Sequence, residues 1–279
     1  MIYLLLAIVS SACVSIFMRL SEEHIKSEMA MFVANYGICA VLSIVLMDNS
    51  FNETMSAGTV SIMFVGITTG AIYLISFMLL KYNMKHNGIV LSSTFMKLGV
   101  LIPTLMAVII FGETPRVVQI LGILLAVAAI IVIQFEKDAI KDCNKKVWLL
   151  LILVGSGMAD SMTNIFEKVG EAEGKDGYLL VTFVTALILS TCFTLIGKQN
   201  ITKADMLFGM LIGVPNYFSA RFLLLALGSV DAVIAYPVYS VATLITITIA
   251  GLVFFHEKLS RKKGVALVMI VVALCLLNV

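Results

Sequence analysis

Apolar residues run along this chain in long blocks broken by short polar clusters. Neither the alternation of a half-buried strand nor the one-sided stripe of a surface helix organises them. A helix that crosses a bilayer needs roughly 20 predominantly apolar residues. Ten segments meet that requirement: 2–19, 29–47, 59–80, 88–111 and 117–135, then 147–166, 178–196, 204–227, 232–255 and 264–277. The links are short and polar, such as Asp48-Asn49-Ser50-Phe51-Asn52-Glu53. The pattern predicts an all-α integral membrane protein with ten transmembrane helices and no room for an extramembrane domain. The first segment has no basic residue before its apolar run and no clear cleavage site, so it is expected to stay as a helix.

Composition agrees. Of 279 residues, 61% are hydrophobic and 13% charged, with a mean hydropathy of +1.07. A soluble domain is roughly 45–50% apolar and about 25% charged, so an aqueous enzyme is excluded. The net charge of +2 gives no footprint for nucleic acid. Cys13, Cys39, Cys143, Cys192 and Cys275 are scattered without a paired motif and read as small apolar packers.

Charge placement carries orientation. Arg19, Lys26, Lys81, Lys85, Lys137, Lys141, Lys145, Lys146, Lys198, Lys203, Lys258, Arg261, Lys262 and Lys263 all flank alternate links. Only Arg116, Lys168 and Lys175 flank the others. The excess of Lys and Arg on cytoplasmic loops predicts both termini outside the cytoplasm, in a multi-pass protein of the cell membrane. The Lys-rich links are read as topology determinants beside anionic lipid.

The chain repeats itself weakly at an offset of 144 to 145. Tyr3-Leu4-Leu5-Leu6 recurs as Trp148-Leu149-Leu150-Leu151, Ser11 falls on Ser156, Tyr73 on Tyr217, and Phe111-Gly112-Glu113 on Phe255-His256-Glu257. Residues 1–136 and 147–279 then form two five-helix repeats joined by a basic linker, 137–146. An odd number of spans makes the halves enter the membrane in opposite senses, the plan of inverted-repeat transporters.

These landmarks, with Gly213-Val214-Pro215-Asn216-Tyr217-Phe218-Ser219 and Ala235-Tyr236-Pro237-Val238-Tyr239-Ser240, resemble the drug/metabolite transporter superfamily in its ten-helix, EamA-like form. The resemblance implies a secondary transporter. Residues 1–22 and 235–278 also resemble parts of the small multidrug resistance proteins. Those carry an essential membrane-embedded Glu that binds cation and proton competitively. Here Ser11 and Ser156 hold the matching positions. Asp160 follows one turn on and is the candidate for proton coupling.

An ionisable group deep in the membrane is a functional candidate by default. Lys97, Asp160 and Arg221 are expected there. Each joins a polar stripe at helical spacing: Ser156, Asp160, Asn164 and Glu167 in span six; Asn216, Tyr217 and Arg221 in span eight; Ser93, Lys97 and Thr104 in span four. Tyr236 and Tyr239 in span nine, Tyr73 in span three and Ser11 in span one extend the set. Asp160 could instead pair structurally with Lys97 or Arg221. Two cations against one acid favour an anionic or zwitterionic metabolite such as an amino acid or organic acid; the alternative is a proton-coupled transporter of multiple drugs or quaternary amines. Glu113 and Glu257 are expected at helix ends, as caps or in structural pairs with neighbouring Lys or Arg. Pro103, Pro215 and Pro237 lie within spans, and Gly66, Gly70, Gly155, Gly157 and Gly213 are expected at close helix crossings. No Walker loop, metal cluster or nucleophile–base set appears, so no enzyme activity and no cofactor is expected. The expected partners are a small-molecule substrate and membrane lipid, with the chain as monomer or homodimer.

Overall fold

In the computed structural model the described residues are 1–22, 24–47, 59–87, 95–96, 98–134, 143–254 and six scattered positions between 265 and 276. They form nine α-helices and no strand: α1 (Ile2–Ser21), α2 (Glu28–Val45), α3 (Thr59–Asn87), α4 (Leu101–Ile109), α5 (Val117–Gln134), α6 (Cys143–Val169), α7 (Lys175–Ile196), α8 (Lys203–Leu227) and α9 (Ala232–Phe254). A single 3-10 turn, Ala172–Gly174, joins α6 to α7. Six of these helices are long and apolar enough to cross a membrane. The predicted spans one to three and six to nine match α1–α3 and α6–α9, while α4 and α5 cover parts of spans four and five. Span ten falls largely outside the described residues. Helix α3 extends past the expected end at 80, and α6 begins before the expected start at 147.

Two compact units divide the chain. The first joins Met1–Leu74 to Met162–Ser229, so it holds α1, α2, the start of α3, the end of α6, α7 and α8. Its helices are held by close backbone approach. A Cβ on Gly66 would lie 2.9 Å from Val181 Cγ1 and 3.4 Å from the Tyr178 carbonyl, and one on Gly70 would strike the Thr182 carbonyl and lie 2.8 Å from Thr185 Cβ. On α8, a Cβ on Gly209 would strike the Met31 carbonyl and lie 2.5 Å from Ala34 Cβ; one on Gly213 would lie 2.7 Å from the Asn35 carbonyl and 2.9 Å from Ile38 Cβ. The two crossings share one register. Gly66 and Gly70 of α3 meet residues 178, 181, 182 and 185 of α7; Gly209 and Gly213 of α8 meet residues 31, 34, 35 and 38 of α2. The glycine pairs differ by 143 positions and their partners by 147.

Each end of this unit is tied separately. At one end α2 begins with Ser27, whose hydroxyl accepts from the Ala30 N–H at 3.1 Å and meets Gln199, beyond the C-terminus of α7. Helix α8 begins there with a capping box: the Thr202 side chain accepts from the Asp205 N–H, and the Asp205 carboxylate accepts from the Thr202 N–H. At the other end α2 and α8 finish and α7 starts. Helices α2 and α7 therefore run in opposite senses.

The second unit, Ile75–Ser161 with Val230–Val279, packs α9 against α4 and α5 around Leu98, Val241, Leu244 and Ala273. Tyr82 packs on Trp148 at 4.5 Å, and Asn83 Nδ2 donates to the Trp148 carbonyl at 2.9 Å, joining α3 to α6. Pro103, expected to interrupt a span, occupies the first turn of α4, where its missing N–H leaves no helical bond unmade. Pro215 and Pro237 do lie inside helices. Glu113 caps as expected: its Oε2 accepts from the Val233 N–H at 2.9 Å, in the first turn of α9, where a carboxylate also faces the positive end of the helix dipole. Glu257 lies outside the described residues.

Gly70→Val is expected to cost about 3 kcal/mol, because overpacking here pushes on backbone. Gly37→Ala, whose Cβ would find only Leu187 Cδ1 at 4.0 Å, is expected to be neutral or to stabilise by up to about 1 kcal/mol. Thermal unfolding of both variants in detergent checks the contrast.

Candidate functional site

In the first unit the polar side chains form a ladder between the two tied ends. Midway along α8, Asn216 Nδ2 donates to Asn35 Oδ1 of α2 at 3.2 Å and lies 3.7 Å from Cys39 Sγ. The Cys39 thiol itself faces the Gly213 carbonyl at 3.2 Å. The glycine crossing makes this meeting possible, since it brings the two backbones together one turn away. At the other crossing, the Tyr178 hydroxyl donates to Thr69 Oγ1 at 3.2 Å and lies 3.1 Å from Thr163 Oγ1, while its ring stacks on Phe166 at 4.2 Å.

Nearer the end of α8 the ladder becomes charged. Arg221 Nη1 donates to the Tyr217 hydroxyl at 2.8 Å and to the Leu46 carbonyl at the end of α2. Its Nη2 lies 3.4 Å from Asp176 Oδ1, and both side chains are 14% exposed. Beside this pair, Lys175 Nζ meets Glu167 Oε2 at 2.7 Å, and both groups would crowd a Cβ on Gly228. The arrangement follows helix electrostatics. Asp176 stands in the first turn of α7, and Arg221 reaches the C-terminal carbonyls of α2, so each charge meets the helix end that favours it.

The opposite end carries a different device. Asp205 is fully buried, and besides its own capping box its Oδ1 accepts from the Lys26 N–H at 2.8 Å and the Ser27 N–H at 3.2 Å. One carboxylate thus ties the α1–α2 link to the start of α8 through backbone donors.

The predicted site residues fall as follows. Arg221, expected deep in the membrane, sits six residues from the end of α8, and the acid beside it is Asp176. Tyr217 is fully buried, with its hydroxyl engaged by Arg221. Asn216 is paired to Asn35. Asn164 is buried at 1% exposure on α6. Tyr73 and Ser11 are half-buried. In the second unit Tyr236 is fully buried and its hydroxyl donates to the Asp160 carbonyl at 2.6 Å, while Asp160 and Tyr239 are half-buried. Ser156 donates to the Met96 carbonyl at 2.9 Å. Lys97 lies outside the described residues. Among the described residues no group of three or more His, Cys, Asp or Glu is placed to hold a metal. Asp205, Asp176 and Asn35 were not singled out from the sequence, although Thr202-x-x-Asp205 before an apolar run is a readable capping signature.

Residues 1–135 match the profile of the EamA-like transporter family, and residues 178–270 match that of the Small Multidrug Resistance protein. The first half of the chain thus carries an EamA-like transporter domain, and the second half a stretch similar to the Small Multidrug Resistance protein. An uncharacterized protein of Haemophilus influenzae is 22% identical over 270 residues, covering 92% of this chain and 91% of the relative. A crystal structure of another protein superposes with a TM-score of 0.79 at 14% identity, over 99% of this chain and 94% of the other; that likeness concerns the fold alone. EamA-like proteins are transporters, and this one is a multi-pass membrane protein.

Asp205→Ala is expected to leave three backbone donors unpaired and to lower stability by about 3 kcal/mol. Asp205→Asn, which keeps an acceptor oxygen, is expected to lose less. Unfolding of the purified transporter in detergent measures both.

Proposed function

We propose that this transporter moves a small polar metabolite, anionic or zwitterionic, by alternating access. The observation that carries the reading is Arg221. A largely buried guanidinium held by a carboxylate, a phenol and a carbonyl can exchange its carboxylate partner for one on a substrate, because the planar fork grips carboxylates in two-point fashion. Asn216, Tyr217 and Asn164 supply the neutral polar contacts of the same unit, with Tyr73 and Ser11 at its margins. In the second unit Asp160 is the candidate for proton coupling, beside Tyr236 and Tyr239.

The inverted repeat is part of the proposal. Equivalent registers at the two glycine crossings, on helices α2 and α7 that run in opposite senses, support it. So does charge. Arg19, Lys26, Lys198 and Lys203 gather at the Asp205 end, which the positive-inside rule assigns to the cytoplasm. The Arg221 end then faces outward, and the N-terminus with it.

A second reading has one observation in its favour: the match of residues 178–270 to the small multidrug resistance profile. It predicts that expression raises resistance to lipophilic cations. Against it, neither Ser11 nor Ser156 can bind a proton in exchange for a cation.

A ligand raises the unfolding temperature of the protein it binds. Screened against amino acids, organic acids and lipophilic cations, the wild type is expected to gain several degrees with a polar metabolite. Arg221→Ala is expected to lose that shift, and Arg221→Lys to keep the fold with at least tenfold weaker binding. Stabilisation by lipophilic cations alone, unaltered in both variants, would sink the metabolite reading.

A further inference from the structure

Asn164 differs from every other buried polar residue described. Its side chain is 1% exposed, and neither Nδ2 nor Oδ1 has a hydrogen-bond partner. Several other buried side chains have one such atom: Thr182 Oγ1, Tyr36 Oη, Ser76 Oγ and Thr243 Oγ1. Among the described residues only Asn164 leaves two separate atoms unanswered, an amide donor and a carbonyl acceptor. A buried amide in that condition is costly in a membrane protein, where no bulk solvent reaches it.

Its surroundings do not relieve it. Thr163, the residue before, pairs with the Tyr178 hydroxyl, which also donates to Thr69. Phe166, two residues on, stacks on the Tyr178 ring. These contacts fix the turn of α6 that carries Asn164 and engage the Thr163, Tyr178 and Thr69 hydroxyls with one another. One turn further, on the same face, Glu167 pairs with Lys175, and the next residue, Asp176, pairs with Arg221. The amide therefore stands one turn below a cluster of two cations and two anions with no net charge.

From this geometry we propose that Asn164 is a specificity-determining residue that reads a donor and an acceptor held side by side on the substrate. The inference rests on the transport reading above and narrows it. An α-ammonium carboxylate answers the amide in full, its ammonium donating to Oδ1 and its carboxylate accepting from Nδ2. A lactam edge, as in a pyrimidine base, does the same with an N–H and a carbonyl. A plain organic anion offers only acceptors. It leaves Oδ1 unanswered and is discriminated against, because a site built to bond two groups penalises a ligand that presents one. The neutral charge cluster one turn away favours the zwitterion over the lactam.

Two measurements test the assignment. In the first, ligand-free Asn164→Leu is unfolded beside the wild type. Leucine keeps the branched shape of asparagine while removing an unanswered amide, so its unfolding temperature is expected to equal or exceed that of the wild type. A clear fall would mean that the amide is satisfied within the folded protein, and would overturn the proposal. In the second, wild type, Asn164→Leu and Asn164→Ala are titrated with the standard amino acids, uracil and succinate, with the unfolding temperature as readout. The expected result is stabilisation of the wild type by an amino acid, at least tenfold weaker binding in both variants, and no response to succinate. Stabilisation by uracil in place of an amino acid, lost in the variants, would support the paired reading and identify its source as the lactam. A response to succinate retained in Asn164→Leu would overturn the role of Asn164 and leave the transport reading standing. Failure of the wild type to respond to any probe would overturn both.

Discussion

Backbone-to-backbone approach at two glycine pairs is the constraint from which the first unit follows. In lipid no hydrophobic gradient drives helices together, so close packing must come from surfaces that let main chains touch. Gly209 and Gly213 let α8 lie on α2, and Gly66 and Gly70 let α3 lie on α7. The polar contacts depend on this. Asn35 reaches Asn216 because their backbones meet one turn away. Tyr178 reaches Thr69 for the same reason on the other crossing. Side chains at the glycine positions would hold the helices apart and leave those polar groups facing hydrocarbon.

The two ends built on this frame are chemically unlike. At one, Asp205 collects backbone N–H groups from two links and needs no cation. At the other, Arg221, Asp176, Lys175 and Glu167 form side-chain ion pairs. A carboxylate that satisfies main-chain donors is part of the fold, since losing it strands groups that cannot move away. An ion pair between side chains near a bundle end is exchangeable, because either partner can accept a charged ligand group instead. That asymmetry suits the Asp205 end to holding the unit together, and it is why the proposal places substrate at the Arg221 end.

Legibility in the sequence followed the range of the interaction. Spans one to three and six to nine were readable because a bilayer-length apolar run is a local property; Glu113 was readable as a residue at a helix end, but its partner, the Val233 N–H 120 positions on, was not. Gly66, Gly70, Gly157 and Gly213 were recognisable as crossing residues, but their partners were not, since which helix faces which is decided by the fold. Gly209, alike in composition, was passed over for that reason. Asp176 escaped notice because its partner lies 45 positions away. Asn164 was picked out by its spacing from Asp160, yet nothing in the sequence could reveal that both atoms of its amide would be buried without a partner.

Alternating access is the central claim, and counterflow in liposomes tests it most directly. Vesicles holding the purified protein are loaded with an excess of unlabelled metabolite, then diluted into a trace of the labelled compound. A carrier that exposes one site to each side in turn is expected to accumulate label transiently above its equilibrium level, and to lose that overshoot when the internal metabolite is omitted. Label that only equilibrates, at a rate indifferent to what the vesicles contain, would describe a pore and contradict the account.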